Sequence, residues 1–253
     1  MTQVADDVLG KFARQQHDLF ERVRKGSLDP REVYRVCQPL LTEPQKRKTK
    51  KNTGNPNDYP DLTNTMIFLW CEFWEDMLKL KLSDLPHPTY RAGFDWPLIV
   101  PTQVSNEQSL GLVRRFFKGS CYWPDLDVLE IEEPYLAAVD SALLVLIRSS
   151  AETDMRLSYD DAMMRQIPFI SIRQYNCLFA FWGWVHKKRK PLAKNLKLPP
   201  YLDLVGSTRT STLLDSDGSV ACGGWCPNER KFSIGSSSRV DDSWFCGIRE
   251  VVV

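Results

Sequence analysis

The chain reads as an α+β protein: an N-terminal helical hairpin, a small mixed sheet with packed helices, and a C-terminal antiparallel β meander. Three observations predict this. Apolar residues recur at helical spacing through the first forty residues. Short apolar runs alternate with capped helices in the middle, and the last fifty residues divide into short β-favouring runs separated by turn residues.

The hairpin is written by Val8, Phe12, Leu19, Phe20 and Val23, closed by Gly26, which accommodates the left-handed conformation that ends a helix. Asp29, Pro30 and Glu32 then supply an N-cap, a first-position proline and an acidic third residue. Val33, Val36, Cys37 and Leu40 give the second helix one apolar stripe, so residues 1–41 form the first unit. Residues 42–60 lose their apolar side chains and carry Lys46, Arg47, Lys48, Lys50 and Lys51, then Gly54, Pro56 and Pro60. This is the pattern of an exposed basic linker, and residues 61–253 form the body.

Within the body, Met66 to Leu82 is aromatic-rich at the spacing of a largely buried helix. Leu98, Ile99 and Val100 form a strand, and Ser105 with Gln108 makes a capping box for a helix over Leu110, Val113, Phe116 and Phe117 that Gly119 closes. Segments near Cys121 to Trp123 and Leu143 to Arg148 suit strands. Ser158 with Asp161 caps a short helix. Ser171 with Gln174 caps a longer one that presents Tyr175, Leu178, Phe179, Trp182 and Val185 on one face and ends in Lys187 to Lys190. From about residue 201, the runs 212–214, 220–225, 231–234 and 248–253 form the meander, with Asp217-Gly218 and Pro227-Asn228 as turns, and Gly223-Gly224 marks a bulge or a close approach.

Lysine plus arginine (33) nearly cancels aspartate plus glutamate (32), so the overall charge gives no reason to expect a polyanionic partner, and the Lys46–Lys51 and Lys187–Arg189 clusters read first as solvated. The clusters would contact nucleic acid only if they shared one face. The acidic N-terminus does not resemble a secretion signal, and the most apolar stretch, 136–147, is interrupted by Asp140 and shorter than the roughly 20 residues of a bilayer-crossing helix. No membrane partner is expected, and the expected location is the cytoplasm. Seven scattered cysteines read as reduced thiols.

Several groups occur together in a telling order: Phe20-Glu21-Arg22-Val23 with Leu28-Asp29-Pro30, Trp96 to Pro101, Ile147-Arg148 with Glu152 and Asp154, Leu202-Asp203-Leu204, Gly206 to Arg209, Asp217 to Val220, Trp225, and Gly247 to Val251. In these the chain resembles a family of uncharacterised proteins common in candidate-phyla bacteria, the Parcubacteria and their relatives. It departs from that pattern in lacking a proline after Val220 and in its run Ser207 to Thr212, where a Cys-Gly-Ser-Arg-like segment is common. The resemblance covers most of the chain, implies a bacterial, cytoplasmic, globular protein, and carries no activity.

Three histidines, His17, His87 and His186, lack a neighbouring nucleophile motif, and no Walker loop, GxGxxG or HExxH sequence occurs. Cys222, Cys226 and Cys246 lack the paired CxxC spacing and fourth ligand of a zinc site, so neither a metal nor a cofactor is expected. The polar set that could hold an anionic ligand or do acid/base work is Arg148, Glu152, Asp154, Arg209, Arg249 and Glu250. The competing reading, salt bridges and turn caps, is the more economical, because Arg249-Glu250 alternate along a terminal strand. The leading expectation is a non-enzymatic module that engages a protein partner through the hairpin. A small-ligand protein or enzyme using the Arg/Glu/Asp set and a nucleic-acid binder using the lysines are the alternatives.

Overall fold

The computed structural model describes residues 54–83, 85–121, 131–132, 143–150, 157–165, 167–203, 207–214, 219–226, 228–239 and 246–252, together with Arg22, Lys25 and Ser27. The chain divides into two compact units, Met1–Lys51 and Asn52–Val253. In the first, Arg22 is helical and its carbonyl accepts from Ser27 N–H at 2.9 Å, the six-to-one bond of a Schellman helix end, where the sequence predicts that the first helix stops. The rest of the hairpin lies outside the described residues.

The second unit is α+β. Its elements are α1 (Asp61–Leu78), β1 (Trp96–Val100), α2 (Asn106–Arg114), β2 (Lys118–Cys121), β3 (Ile131–Glu132), β4 (Leu143–Ile147), α3 (Tyr159–Met164), α4 (Ile172–Lys188), α5 (Lys190–Asn195), β5 (Ser207–Leu214), β6 (Ser219–Cys226), β7 (Lys231–Ser238), β8 (Cys246–Ile248) and β9 (Val251–Val252). They build two sheets. The first, β1-β4-β9, is antiparallel; the second runs β2-β7-β6-β5-β3, with β8 alongside β5. The expected meander is β5-β6-β7, antiparallel throughout, while β2 pairs β7 and β8 pairs β5 in parallel.

Helix α4 is the hub. Every residue from Gln174 to Val185 is buried, so one amphipathic stripe understates it: α1, α2, α5 and both sheets cover it. A buried helix start must satisfy its amides. The Ser171–Gln174 capping box bonds in both directions (3.2 and 2.9 Å), and Ile172 N–H donates to Thr212 Oγ1 at 2.9 Å. That hydroxyl belongs to an irregular stretch of β5, where the ladder to β6 shifts between Arg209 and Leu213.

β1 is fully buried yet pairs with β4 alone, so its other edge needs partners. Helix α1 supplies them: Trp70 Nε1 donates to the Pro97 carbonyl (2.7 Å) and Trp74 Nε1 to the Ile99 carbonyl (3.0 Å). Pro97, which has no N–H, fits an edge position. Residues 54–60 lie on the body, with Gly54 N–H donating to the His87 carbonyl (2.7 Å) and Tyr59 Oη to the Pro88 carbonyl (2.6 Å).

Two expectations are corrected. Helix α2 ends at Arg114, and Gly119 lies inside β2. Phe116 and Phe117 leave the helix to cover α4 at Gly183, where an added Cβ would lie 2.5 Å from Phe116 Cβ and 2.7 Å from Phe117 Cε2. The terminal strand is two strands: β8 belongs to the larger sheet and β9 to the smaller, and Arg249-Glu250 form the crossing between them. Gly223 is a close approach, with a Cβ there falling 2.2 Å from Tyr175 Cε1.

Replacing Trp74 with Phe keeps most of the apolar volume but leaves the buried Ile99 carbonyl without its donor. Denaturant titration is expected to show a loss of about 1–3 kcal/mol.

Candidate functional site

The candidate site residues fall into separate settings. Arg249 is fully buried, donating to Asp203 Oδ1 and to the Ser150 carbonyl, both at 2.8 Å. Asp203 is buried too. It occupies left-handed backbone (φ 51°), and its Oδ2 accepts from Tyr175 Oη and Thr208 Oγ1, both at 2.7 Å. Burial, followed by the neighbouring carboxylate, pushes the Tyr175 phenol well above its ordinary pKa, so the hydroxyl stays a donor. One carboxylate thus joins α4, β5, the loop before β5 and the terminal crossing.

The next residue, Glu250, faces another cluster. Its Oε1 accepts from Arg91 Nη1 at 2.7 Å and its Oε2 lies 3.5 Å from Arg148 Nη2. Both guanidiniums sit over the buried Phe94 ring, with Cζ 4.5 and 4.8 Å from its centroid. Arg209 is fully buried elsewhere, donating to the Leu157 carbonyl and to Ser237 Oγ (3.3 Å). Of the six candidates, then, Arg148 and Glu250 meet. Arg209 pairs in register with Ile248, next to Arg249, but the two guanidiniums engage different partners, and Glu152 and Asp154 lie outside the described residues.

The sequence reading missed Asp203, Tyr175, Thr208 and Arg91. Asp203 carries one signal, an acid between two leucines, and the cation that pairs with it is 46 residues away. Helical spacing alone makes Tyr175 one more apolar face residue.

Cys222 and Cys226 stand on one strand, about 13 Å apart at 3.3 Å per residue, beyond the reach of a shared metal ion. His186 Nε2 lies 2.8 Å from the Pro199 carbonyl and donates to it, so it is not placed as a base. No described helix is long and apolar enough to cross a membrane.

A recess of about 380 Å³ lies between the C-terminal turns of α1 and α4, lined by Glu72, Glu75, Asp76, Lys79, Trp184, Lys188 and Arg189. Its acids and bases are equal in number: Arg189 grips Glu72 (3.1 and 3.3 Å), and Trp184 Nε1 donates to Asp76 Oδ2 (2.8 Å), the main reason the Asp76 carboxyl is held below its ordinary pKa.

A basic face lies along the α2–β2 turn and the end of α4. Arg114, Arg115 and Lys118 are exposed there, and Phe116 between them lies on Gly183 with Lys187 Nζ 5.9 Å from its ring centroid. Lys118 pairs with Lys231 across the β2–β7 ladder, and because the next residue, Phe232, packs on α4, these two lysines extend from the other side of that sheet. Lys187, Lys188, Lys190, Lys194 and Lys197 are all exposed on α4, α5 and the turn that follows. Acids also lie at its border: Glu229 bonds Lys231 at 3.1 Å, Glu72 engages Arg189, and Asp76 is close enough to Lys188 and Arg189 for their charge to lower its pKa. Beside this face Tyr201 stacks on Trp225, with ring centroids 4.5 Å apart and planes within 6°. Phe117 meets Trp225 edge-on at 5.4 Å.

Compared with known protein families, curated proteins and solved structures, the chain has no match.

Two predictions follow from these contacts. Asp203→Ala strands the buried Arg249 guanidinium and is expected to cost about 3–5 kcal/mol by denaturant titration, whereas Arg91→Ala, a half-exposed partner of Glu250, costs about 1 kcal/mol or less. Burial lowers the pKa of both His87 and His186 below the ordinary 6.5. The folded state therefore binds fewer protons than the unfolded chain below that value, and this contribution is present above it and lost as pH falls. Urea midpoints at about pH 7.5 and 5.5 are expected to show the decline, reduced in His186→Gln.

Proposed function

We propose that the protein is a non-enzymatic nucleic-acid-binding protein that holds a phosphate backbone on the basic face formed by the α2–β2 turn, the end of α4 and α5. The observation that carries this reading is convergence. Cations near residue 115 and near residue 190 come from distant parts of the chain, yet the Phe116–Gly183 contact and Lys187 Nζ near the Phe116 ring join them on one surface. A net charge of +1 hides this segregation. Helix-dipole complementarity accounts for Arg114 and for Lys187 and Lys188 at helix ends, but not for Lys190 at the start of α5.

The chemistry is a surface that exchanges bound counterions for lysine and arginine, giving affinity with little dependence on base identity. A non-catalytic reading is supported by where the polar pairs lie. Arg249 and Asp203 are shut away from solvent, and Arg91, Arg148 and Glu250 are tied to one another across Phe94. A protein partner at the hairpin of residues 1–41 stays compatible with this function and falls outside the described residues.

The test is fluorescence anisotropy with a labelled oligonucleotide of about 20 nucleotides across a salt series. With four or five phosphate contacts, log affinity should fall with log salt at a slope of about −3 to −4.5. The double variant Arg115→Glu/Lys187→Glu, both at exposed positions, should lose at least about tenfold in affinity and flatten the slope. Absence of binding, or binding indifferent to salt and to this variant, contradicts the proposal.

A further inference from the structure

We infer that the basic face takes single-stranded nucleic acid in preference to a duplex, and that a base stacks on the outer face of Tyr201. This rests on the nucleic-acid reading above and adds the class of strand and the residue that selects it.

Three large apolar side chains are prominently exposed among the described residues: Phe68, Met164 and Tyr201. Their surroundings differ. Phe68 lies on α1 one turn from Glu72 and two from Glu75, and Met164 ends a helix that carries Asp160 and Asp161. Among the described residues, neither has an aromatic partner stacked beneath it as Tyr201 has in Trp225. Tyr201, at 37% exposure, stands four residues after exposed Lys197 and touches Phe117 and Trp225, and the neighbouring Phe116 ring lies 5.9 Å from Lys187 Nζ.

The ring is also held before any ligand arrives. One face lies on Trp225, and Trp225 is braced edge-on by Phe117. The loop leading to Tyr201 is fixed at Pro199, whose carbonyl accepts from Trp182 Nε1 and His186 Nε2, both at 2.8 Å, and Pro200 restricts the step between. A base landing on the open face extends an existing aromatic stack and immobilises little that was mobile. Bases inside a duplex have both faces covered by their neighbours, so only an unpaired strand can use this surface while its backbone runs over the adjacent cations.

The experiment uses the full-length protein with four probes of matched length or charge: oligo-dT, oligo-U, a duplex DNA and heparin. Affinities are measured for the native protein and for Tyr201→Ala, Tyr201→Leu and Tyr201→Phe. Single strands should bind at least about tenfold more tightly than the duplex. Tyr201→Ala and Tyr201→Leu should weaken single-strand binding by about 5- to 150-fold, leaving the salt slope, the duplex affinity and the heparin affinity unchanged, while Tyr201→Phe keeps native affinity. Leucine preserves apolar cover over Trp225, so a loss shared by alanine and leucine and rescued by phenylalanine reports stacking and not misfolding. Ultraviolet cross-linking to oligo-U should label the peptide containing Tyr201. Equal affinity for duplex and single strand, or full single-strand affinity in both Tyr201→Ala and Tyr201→Leu, overturns this inference and leaves the basic-face reading standing. Failure of all four probes to bind overturns both.

Discussion

A buried carboxylate–guanidinium pair is costly to assemble, and the second unit of this protein organises its chain around one. Asp203 and Arg249 are both shut off from solvent at 2.8 Å, and the remaining oxygen of Asp203 is filled by a tyrosine and a threonine hydroxyl. Desolvating two charges is offset only when most of their polar atoms find partners of good geometry. Because the partners come from α4, from β5 and from the terminal segment, meeting that demand fixes where each can lie. Arg249 is also the point at which the chain leaves the larger sheet for the smaller. Its neighbour on one side sits in β8 beside β5, and two residues on, β9 joins β4. The pair thus pins the terminal segment that links the two sheets.

Around that pin the sheets and helices satisfy one another's unpaired groups. Tryptophans on α1 take the free carbonyls of the β1 edge, a threonine in the irregular part of β5 takes an amide at the start of α4, and Pro199 takes donors from Trp182 and His186. The same contacts build the outer surface. Gly183 lets Phe116 and Phe117 lie directly on α4, which brings the arginines flanking them against Lys187. The Pro199 contacts set Tyr201 onto Trp225. The basic face and its aromatic edge are consequences of how the hub helix is covered.

What the sequence discloses follows the range of the interaction. The caps at Ser105, Ser158 and Ser171 are local, three residues from cap to partner, and the structure has helices starting at all three. The strands of the meander are equally local. The end of α2 was misread because Phe116 and Phe117 continue the helical spacing, and only Gly183, far along the chain, explains why they leave it. The terminal run 248–253 has uniform strand character, and its division depends on which sheet each half meets. For the site, Arg148 and Glu250 were legible as charged residues at strand ends. Their partners Arg91 and Phe94, and the Asp203–Arg249 pair, are separated by tens of residues or more, so no spacing rule connects them. The basic face was hidden for the same reason: each cluster is solvated when read alone, and convergence exists only in three dimensions.

The central claim is that this convergence makes a binding surface. Hydrogen–deuterium exchange of the full-length protein with and without a single-stranded oligonucleotide tests it most directly. The account predicts slowed exchange confined to residues near 114–118, 187–201 and 225, with the Asp203–Arg249 region unchanged. Protection elsewhere in the chain with these three segments unaffected would contradict it.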